Sequence, residues 1–334
     1  MNKLFETINS FIKEKNITNY IFISFSVILI IICIAISYIF LLSISKYYAY
    51  DIPQLPPDMS VTGQVGDFIG GTIGTILAFI SVLFLFITLR NQRISNSKER
   101  FENNFFELLK LYRDNVAEIE IPKALLKNKN YPKLDKLKGR SAFDEIHNLM
   151  LVVYLLCKDY CKEKQIDINV ETELPNIAYL IVFFGTDDIL NKNMISKATL
   201  KITDKHPNLI KELIENLEQK SKASDDKRMY VISGIHEQFG HYFRHLYQTV
   251  NYVDDNKLLT FKEKYFYVKM LRSQMGDYEQ SIFFFNSLSD LGKKWELGEH
   301  SKKLISKYKI IKNLPDGLTF VLDPKKFYPE CFMS

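Results

Sequence analysis

The densest run of chemistry-bearing side chains in this sequence is "HEQFGHYFRHLYQTVNYV", which starts at His236. Three histidines, a glutamate and an arginine in so short a stretch raise metal ligation and anion binding as the two chemistries to weigh. The zinc-protease string H-E-x-x-H needs both histidines on one helix face. Here the spacing is H-E-x-x-x-H, and five residues carry a helix about 140° beyond a full turn, so His236 and His241 diverge. His241 and His245 are four apart, but they share a metal only if ligands come from elsewhere. No metal and no cofactor is therefore expected. On a helix, Phe239, Phe243, Leu246, Val250 and Val253 form an apolar stripe, and Glu237, His241, Arg244, His245 and Gln248 fall opposite it. Arg244 is placed to orient a carboxylate across a helix interface, and Glu279 is the candidate partner.

A second arrangement lies in "GRSAFDEIHNLM". Six residues separate Arg140 from His147, so the two return to nearly the same helix face after about two turns. The spacing is similar to the R-x4-6-H pattern of HEPN ribonucleases, small all-α domains in which an arginine and a histidine surround an RNA phosphate. That resemblance implies a phosphate clamp and a general acid or base as an alternative activity. The bland reading is an arginine at a helix start and an ordinary surface histidine. Nucleic acid is not otherwise indicated, because the net charge of +5 is mild and basic residues are scattered among acidic ones. Cys157 and Cys161 are one helical turn apart, without the further ligands of a structural zinc site, and read as buried thiols. No Ser-His-Asp arrangement, paired-carboxylate motif or dinucleotide fingerprint is visible.

The elements that must position these residues are dominated by two uncharged stretches. Residues 20–45 carry no charge, and at 1.5 Å per residue they give about 39 Å of helix, more than a hydrocarbon core requires. Residues 68–89 are also uncharged and long enough to span. The first stretch is too long and starts too late for a signal peptide. "GDFIGGTIGTILAF", beginning at Gly66, offers the glycines of a phosphate loop but lacks its lysine and a preceding strand. Read as membrane helix, Gly66, Gly70 and Gly74 recur every four residues and place three side-chain-free positions on one face. Two helices can approach closely there, with the first span or the same helix of a second copy as the partner; the bland alternative is that glycine is simply commoner in membrane helices. Lys3, Lys13 and Lys15 precede the first span, and Arg90, Arg93, Lys98 and Arg100 follow the second. This asymmetry predicts a two-pass protein of the cell membrane with both termini cytoplasmic. The expected organisation is a cytoplasmic segment 1–19, a first transmembrane helix 20–45, an extracytoplasmic loop 46–67, a second transmembrane helix 68–89 and a cytoplasmic all-α domain 90–334.

After residue 89 the helical pattern continues through Phe101, Phe105, Leu108 and Tyr112. The second span therefore reads as one long helix leading inward. A lysine-rich loop at 122–140 has the composition to touch anionic lipid or to sit in solvent. Helices are expected at about 141–164, 173–185, 194–220, 227–254, 260–274, 277–289 and 301–312, with a flexible joint near 218–228. The fold class is all-α, with two N-terminal transmembrane helices ahead of an all-helical cytoplasmic domain.

The order "GDFIGGTIGTILAFISVLFLFITLRNQR", "FENNFFELLKLYRDNV", "GRSAF", "GHYFRHLYQTVNYV" and "RSQMGDYEQSIFFFNSLS" resembles the phage abortive infection family, the AbiC-like group, over about residues 62–312. Gly240, Tyr242, Phe243, Arg244 and Tyr247 carry the first signature, and Arg272, Ser273, Gln274 and Glu279 the second. The resemblance implies bacterial defence against bacteriophage, in which an infected cell stops supporting phage growth or dies, and it brings no agreed catalytic residues. A polar surface built from Gly240, His241, Tyr242, Arg244, His245, Tyr247, Arg272, Gln274 and Glu279 is expected to face a phage-encoded trigger. The membrane bilayer and a second copy of the chain are the other expected partners. A membrane scaffold whose partner carries the activity is a further reading.

Overall fold

The computed structural model describes residues 17–49, 59–122, 136–186, 188–199, 206–223, 234–298, 301–320 and 322–333. They form two compact units, 1–102 and 103–334. The described residues are helical almost throughout.

In the first unit, α1 (Ile17–Ala49) is followed by α2 (Met59–Phe68), a π-helical turn (Ile69–Ile73) and α3 (Gly74–Glu118). Helical backbone therefore begins at Met59, inside the segment expected as a loop. Beyond Pro57 no proline interrupts hydrogen bonding, so the helix extends upstream of its uncharged part. Two helices in this unit are long and apolar enough to cross a membrane. Apolar side chains stand exposed all round them, from Ile21, Ile31 and Ile39 on α1 to Val82, Leu85 and Phe86 on α3. A helix apolar on every face requires an apolar surrounding. Phe22 meets Phe86 at 6.5 Å between ring centroids and Phe40 stacks on Phe68 at 4.0 Å, so the helices run antiparallel. The hydroxyls of Ser26, Ser37, Ser81 and Thr88 each donate to the carbonyl four residues back, at 2.8–2.9 Å. This satisfies the polar groups without water.

The glycine-rich stretch belongs to continuous helix and not to a phosphate-cradling loop. Among the described residues no atom lies within 4 Å of a Cβ built at Gly66, Gly70 or Gly74. The first span therefore does not close on the glycine face, which would be the reason for small residues there.

The second unit begins with the C-terminal part of α3 and a two-stranded antiparallel ribbon, β1 (Glu120–Pro122) with β2 (Lys136–Lys138). The ribbon was not expected in an all-α body. Lys136 and Lys138 both pair with Glu120 across it. Residues 123–135, most of the lysine-rich loop, lie outside the described residues. Then come α4 (Arg140–Glu163), α5 (Glu173–Phe184), α6 (Ile189–Ala198), α7 (Leu209–Ala223), α8 (His236–Asp255), α9 (Phe261–Arg272), α10 (Asp277–Leu288) and the short α11 (Leu304–Tyr308), α12 (Pro324–Phe327) and α13 (Pro329–Phe332). The helix expected over 194–220 is two, α6 and α7, with Pro207 just ahead of the second. Of the expected joint, residues 218–223 continue α7, and 224–228 lie outside the described residues. So do the N-terminal lysines Lys3, Lys13 and Lys15 on which the orientation was read.

The core forms where α4, α5 and α10 pack together. Every residue from Glu279 to Ser287 is buried, which makes α10 the central helix. Cys157, Cys161 and Cys331 are free, buried thiols. Burial pushes the Cys161 thiol up to about 11 and the Cys331 thiol up to about 12, so neither is a ready nucleophile.

Candidate functional site

Helix α8 is amphipathic as its pattern requires. Phe239, Leu246, Val250 and Val253 are completely buried, and Phe243 nearly so. Phe143 of α4 meets Phe239 at 5.0 Å and Tyr242 at 5.4 Å, both edge to face, which fixes the rotation of α8 about its axis. His241, Arg244 and Gln248 are consequently exposed and His245 is half-buried.

Beneath this face lies a buried carboxyl group. Glu279, 2% exposed, stands in the first turn of α10. Its Oε2 accepts from the Gly276 backbone N–H at 3.0 Å, and its Oε1 accepts from the Tyr242 hydroxyl at 2.7 Å and from the Tyr112 hydroxyl. Three helices, α3, α8 and α10, thus share one carboxyl group. Burial lifts it above the ordinary carboxylate value. The hydrogen bonds from Tyr112, Gly276 and Tyr242 and the positive charge of Arg140 pull the other way.

Arg244 does not reach Glu279. Its Nε donates to the Gly240 carbonyl at 3.0 Å and a terminal nitrogen donates to His241 Nδ1 at 3.3 Å. The guanidinium folds back beside Gly240, 4.0 Å from where a Cβ would stand. The His245 Nε2–H donates to the Leu108 carbonyl of α3 at 2.9 Å. His241, Arg244 and His245 therefore lie near one another on this side of α8. With Asn115, Glu118 and Gln238 they line an open hollow of about 620 Å³ whose floor is Tyr242. On the far side of Arg244 a second hollow of about 390 Å³ is lined by Phe183, Phe243, Tyr247, Trp295 and Lys294. Gln248 also faces both.

Three of the expected surface residues are not at the surface. Tyr242 and Glu279 belong to the buried cluster just described, and Arg272 is 6% exposed. Arg272 donates to the Lys309 carbonyl at 2.7 Å, where the chain turns in a left-handed conformation after α11. It is thus a structural tie. Gln274 contributes its carbonyl, which accepts from Arg140 at 2.7 Å. Tyr247 meets the indole of Trp295 edge to face at 5.1 Å.

The Arg140 and His147 pair is divided by burial. Arg140 is exposed at the start of α4, whereas His147 is 5% exposed, with the rings of Tyr278 and Phe320 against it. Its Nε2–H donates to the Leu318 carbonyl at 3.0 Å, and its buried Nδ1 has no partner. Burial holds its pKa below the usual histidine value, against the opposing pull of the Leu318 carbonyl, the Asp144 charge and Asn148. His147 therefore faces protein and not solvent. His236 packs beside Phe184, away from His241. Among the described residues no three His, Cys, Asp or Glu side chains converge as metal ligands would.

Tyr112 is the member of the cluster that sequence reasoning left without a role. Its place on the apolar face of α3 was visible, and its hydroxyl was the signal that this face carries a polar contact.

A family model described as "Putative phage abortive infection protein" matches residues 234–318, which include α8, α9, α10 and α11. The chain is similar to that family over this segment, the C-terminal part of the span over which its sequence resembles it. No curated protein and no solved structure matches the chain.

Proposed function

Taking similarity to the phage abortive infection family as premise, we propose that this chain is a membrane-anchored defence protein whose helical body detects infection from the cytoplasmic side. The two apolar helices serve as the anchor, and the exposed face of α8 as the detecting surface. The observation that carries this reading is the composition of α3. Helix α3 (Gly74–Glu118) holds both residues 74–89 of the uncharged stretch and Tyr112, whose hydroxyl bonds to Glu279 in the family-matched segment. An event at α8 that disturbs Tyr242 disturbs the shared carboxyl group, and through Tyr112 it reaches the helix that enters the membrane. The response is arrest of phage production or death of the cell. Partners of the spans are lipid and, through Gly66, Gly70 and Gly74, a second copy of the chain.

The test is a phage challenge at high and low multiplicity, following membrane potential and total RNA in the same cells. Arg244→Ala is compared with Glu237→Ala, an exposed neighbour on the same helix. Loss of protection with Arg244→Ala alone, in inserted protein, is expected. Full protection by Arg244→Ala would remove α8 from the sensing role. Loss of RNA before the potential falls would move the effector out of the spans.

A further inference from the structure

The two hollows flanking Arg244 differ in chemistry. The first carries polar groups of both kinds, with Arg244, His241 and Gln238 beside Glu118. The second is walled by Phe183, Phe243, Tyr247 and Trp295, with Lys294 at its edge. Arg244 and Gln248 line both, so a ligand lying across them presents an anionic end to one and a flat apolar end to the other.

We propose that the two hollows form one binding site for a nucleotide, with phosphate held by Arg244 and His241 and the base in the aromatic slot. This rests on the reading of α8 as the sensing face. The guanidinium is already oriented by the Gly240 carbonyl and His241 Nδ1, and among the described residues it has no carboxylate partner. An oriented arginine without an internal anion is a ready site for a phosphoryl oxygen. Hollows of about 620 and 390 Å³ are far larger than inorganic phosphate needs and match the size of small-molecule sites. Phe183, Phe243 and Trp295 are mostly buried and give the slot an apolar wall, Tyr247 is half-buried beside them, and Lys294 adds a cation for a second phosphate or a base carbonyl. Glu118 at the rim disfavours simple polyanions, so charge alone does not fill the site.

The chain carries its own reporter, because Trp295 is its one tryptophan and lines the slot. The full chain in detergent micelles is titrated with adenosine and guanosine 5′-mono- and triphosphates, with the nucleosides, with inorganic phosphate and with a 5′-phosphorylated oligoribonucleotide. Equilibrium dialysis provides a second readout. A saturable change in Trp295 emission is expected with nucleotides, and binding weaker by about tenfold or more for nucleosides and for phosphate. Arg244→Ala and Lys294→Ala, both at exposed positions, should each weaken nucleotide binding by about tenfold. An oligonucleotide that binds more tightly than the mononucleotides assigns the source to nucleic-acid ends, and weaker binding assigns it to free nucleotides. No saturable binding up to about 1 mM overturns the proposal. So does equal binding of inorganic phosphate, or unchanged binding by Arg244→Ala. Wild type that protects cells but binds no nucleotide removes the ligand and leaves the defence reading standing. Arg244→Ala that binds weakly yet protects fully removes the sensing role and leaves the site.

Discussion

The Tyr112 hydroxyl donates to the Glu279 carboxyl group from 167 residues away in sequence, inside the protein core. Tyr242 donates to the same oxygen at 2.7 Å. A carboxyl group in this position cannot lose a donor without consequence, because no solvent replaces the missing bond.

Tyr112→Phe and Tyr242→Phe should each destabilise the second unit by about 1–3 kcal/mol, the cost of leaving a buried acceptor short of a partner. Together they should deviate from additivity, because both act on one oxygen. Denaturant unfolding of the chain in micelles, followed at Trp295, measures both quantities.

Protonation gives a second handle on the same group. Glu279 holds its proton above the ordinary value of 4.5 in the folded chain, so between 4.5 and its folded pKa the native state binds more protons than the unfolded state. Stability attributable to it therefore falls as pH rises through that window. Glu279→Gln, which keeps an acceptor for the tyrosines, should flatten that slope.

His147 works in the opposite sense. Its pKa is lowered from 6.5, so the unfolded chain binds the proton first and stability drops as pH falls below about 6.5. His147→Gln should remove this dependence. Because the side chain is enclosed, phage protection should track the loss of fold, not the loss of an acid or base. Protection lost in a fully stable His147→Gln protein would restore a catalytic role for this residue.

The two signature arginines should separate cleanly. Arg272→Ala removes a buried bond to the Lys309 carbonyl and should cost about 1–3 kcal/mol. Arg244→Ala, at an exposed position, should shift stability by no more than about 0.5 kcal/mol. Thermal unfolding of both variants beside a protection assay distinguishes a structural tie from a functional group.

Glycines supply a packing test. A Cβ at Gly292 would sit 2.1 Å from the Asn286 carbonyl oxygen, whereas one at Gly70 meets nothing within 4 Å. Gly292→Ala should destabilise by about 1–3 kcal/mol through overpacking. Gly70→Leu should leave the monomer fold intact and, if a second copy docks there, abolish cross-linking between copies in membranes.

Much of this arrangement was legible in the sequence, and the limits have physical reasons. The apolar helices stood out because charge is absent over 20–45 and 68–89, and α8 because its stripe keeps one period for about four turns. Its outward residues His241, Arg244 and His245 followed from the same period. Glu279 was misplaced at the surface because charged residues are seldom buried unless paired, and its partners lie on helices far away in sequence. The same holds for Arg272, whose acceptor is a backbone carbonyl and so leaves no trace in residue type. His147 read as exposed because helical spacing gives the direction of a side chain within its own helix and says nothing of Phe320 and Leu318 arriving from the C-terminal region. The ribbon of β1 and β2 escaped because three-residue strands hold too little alternation to register.

The hydroxyls of Ser26, Ser37, Ser81 and Thr88 are each occupied by a carbonyl of their own helix. These four hydroxyls are therefore not spent on contacts between the helices. Placed in a bilayer, such helices would associate according to how well side chains and lipid tails fill the seam, and so according to bilayer thickness and acyl-chain order.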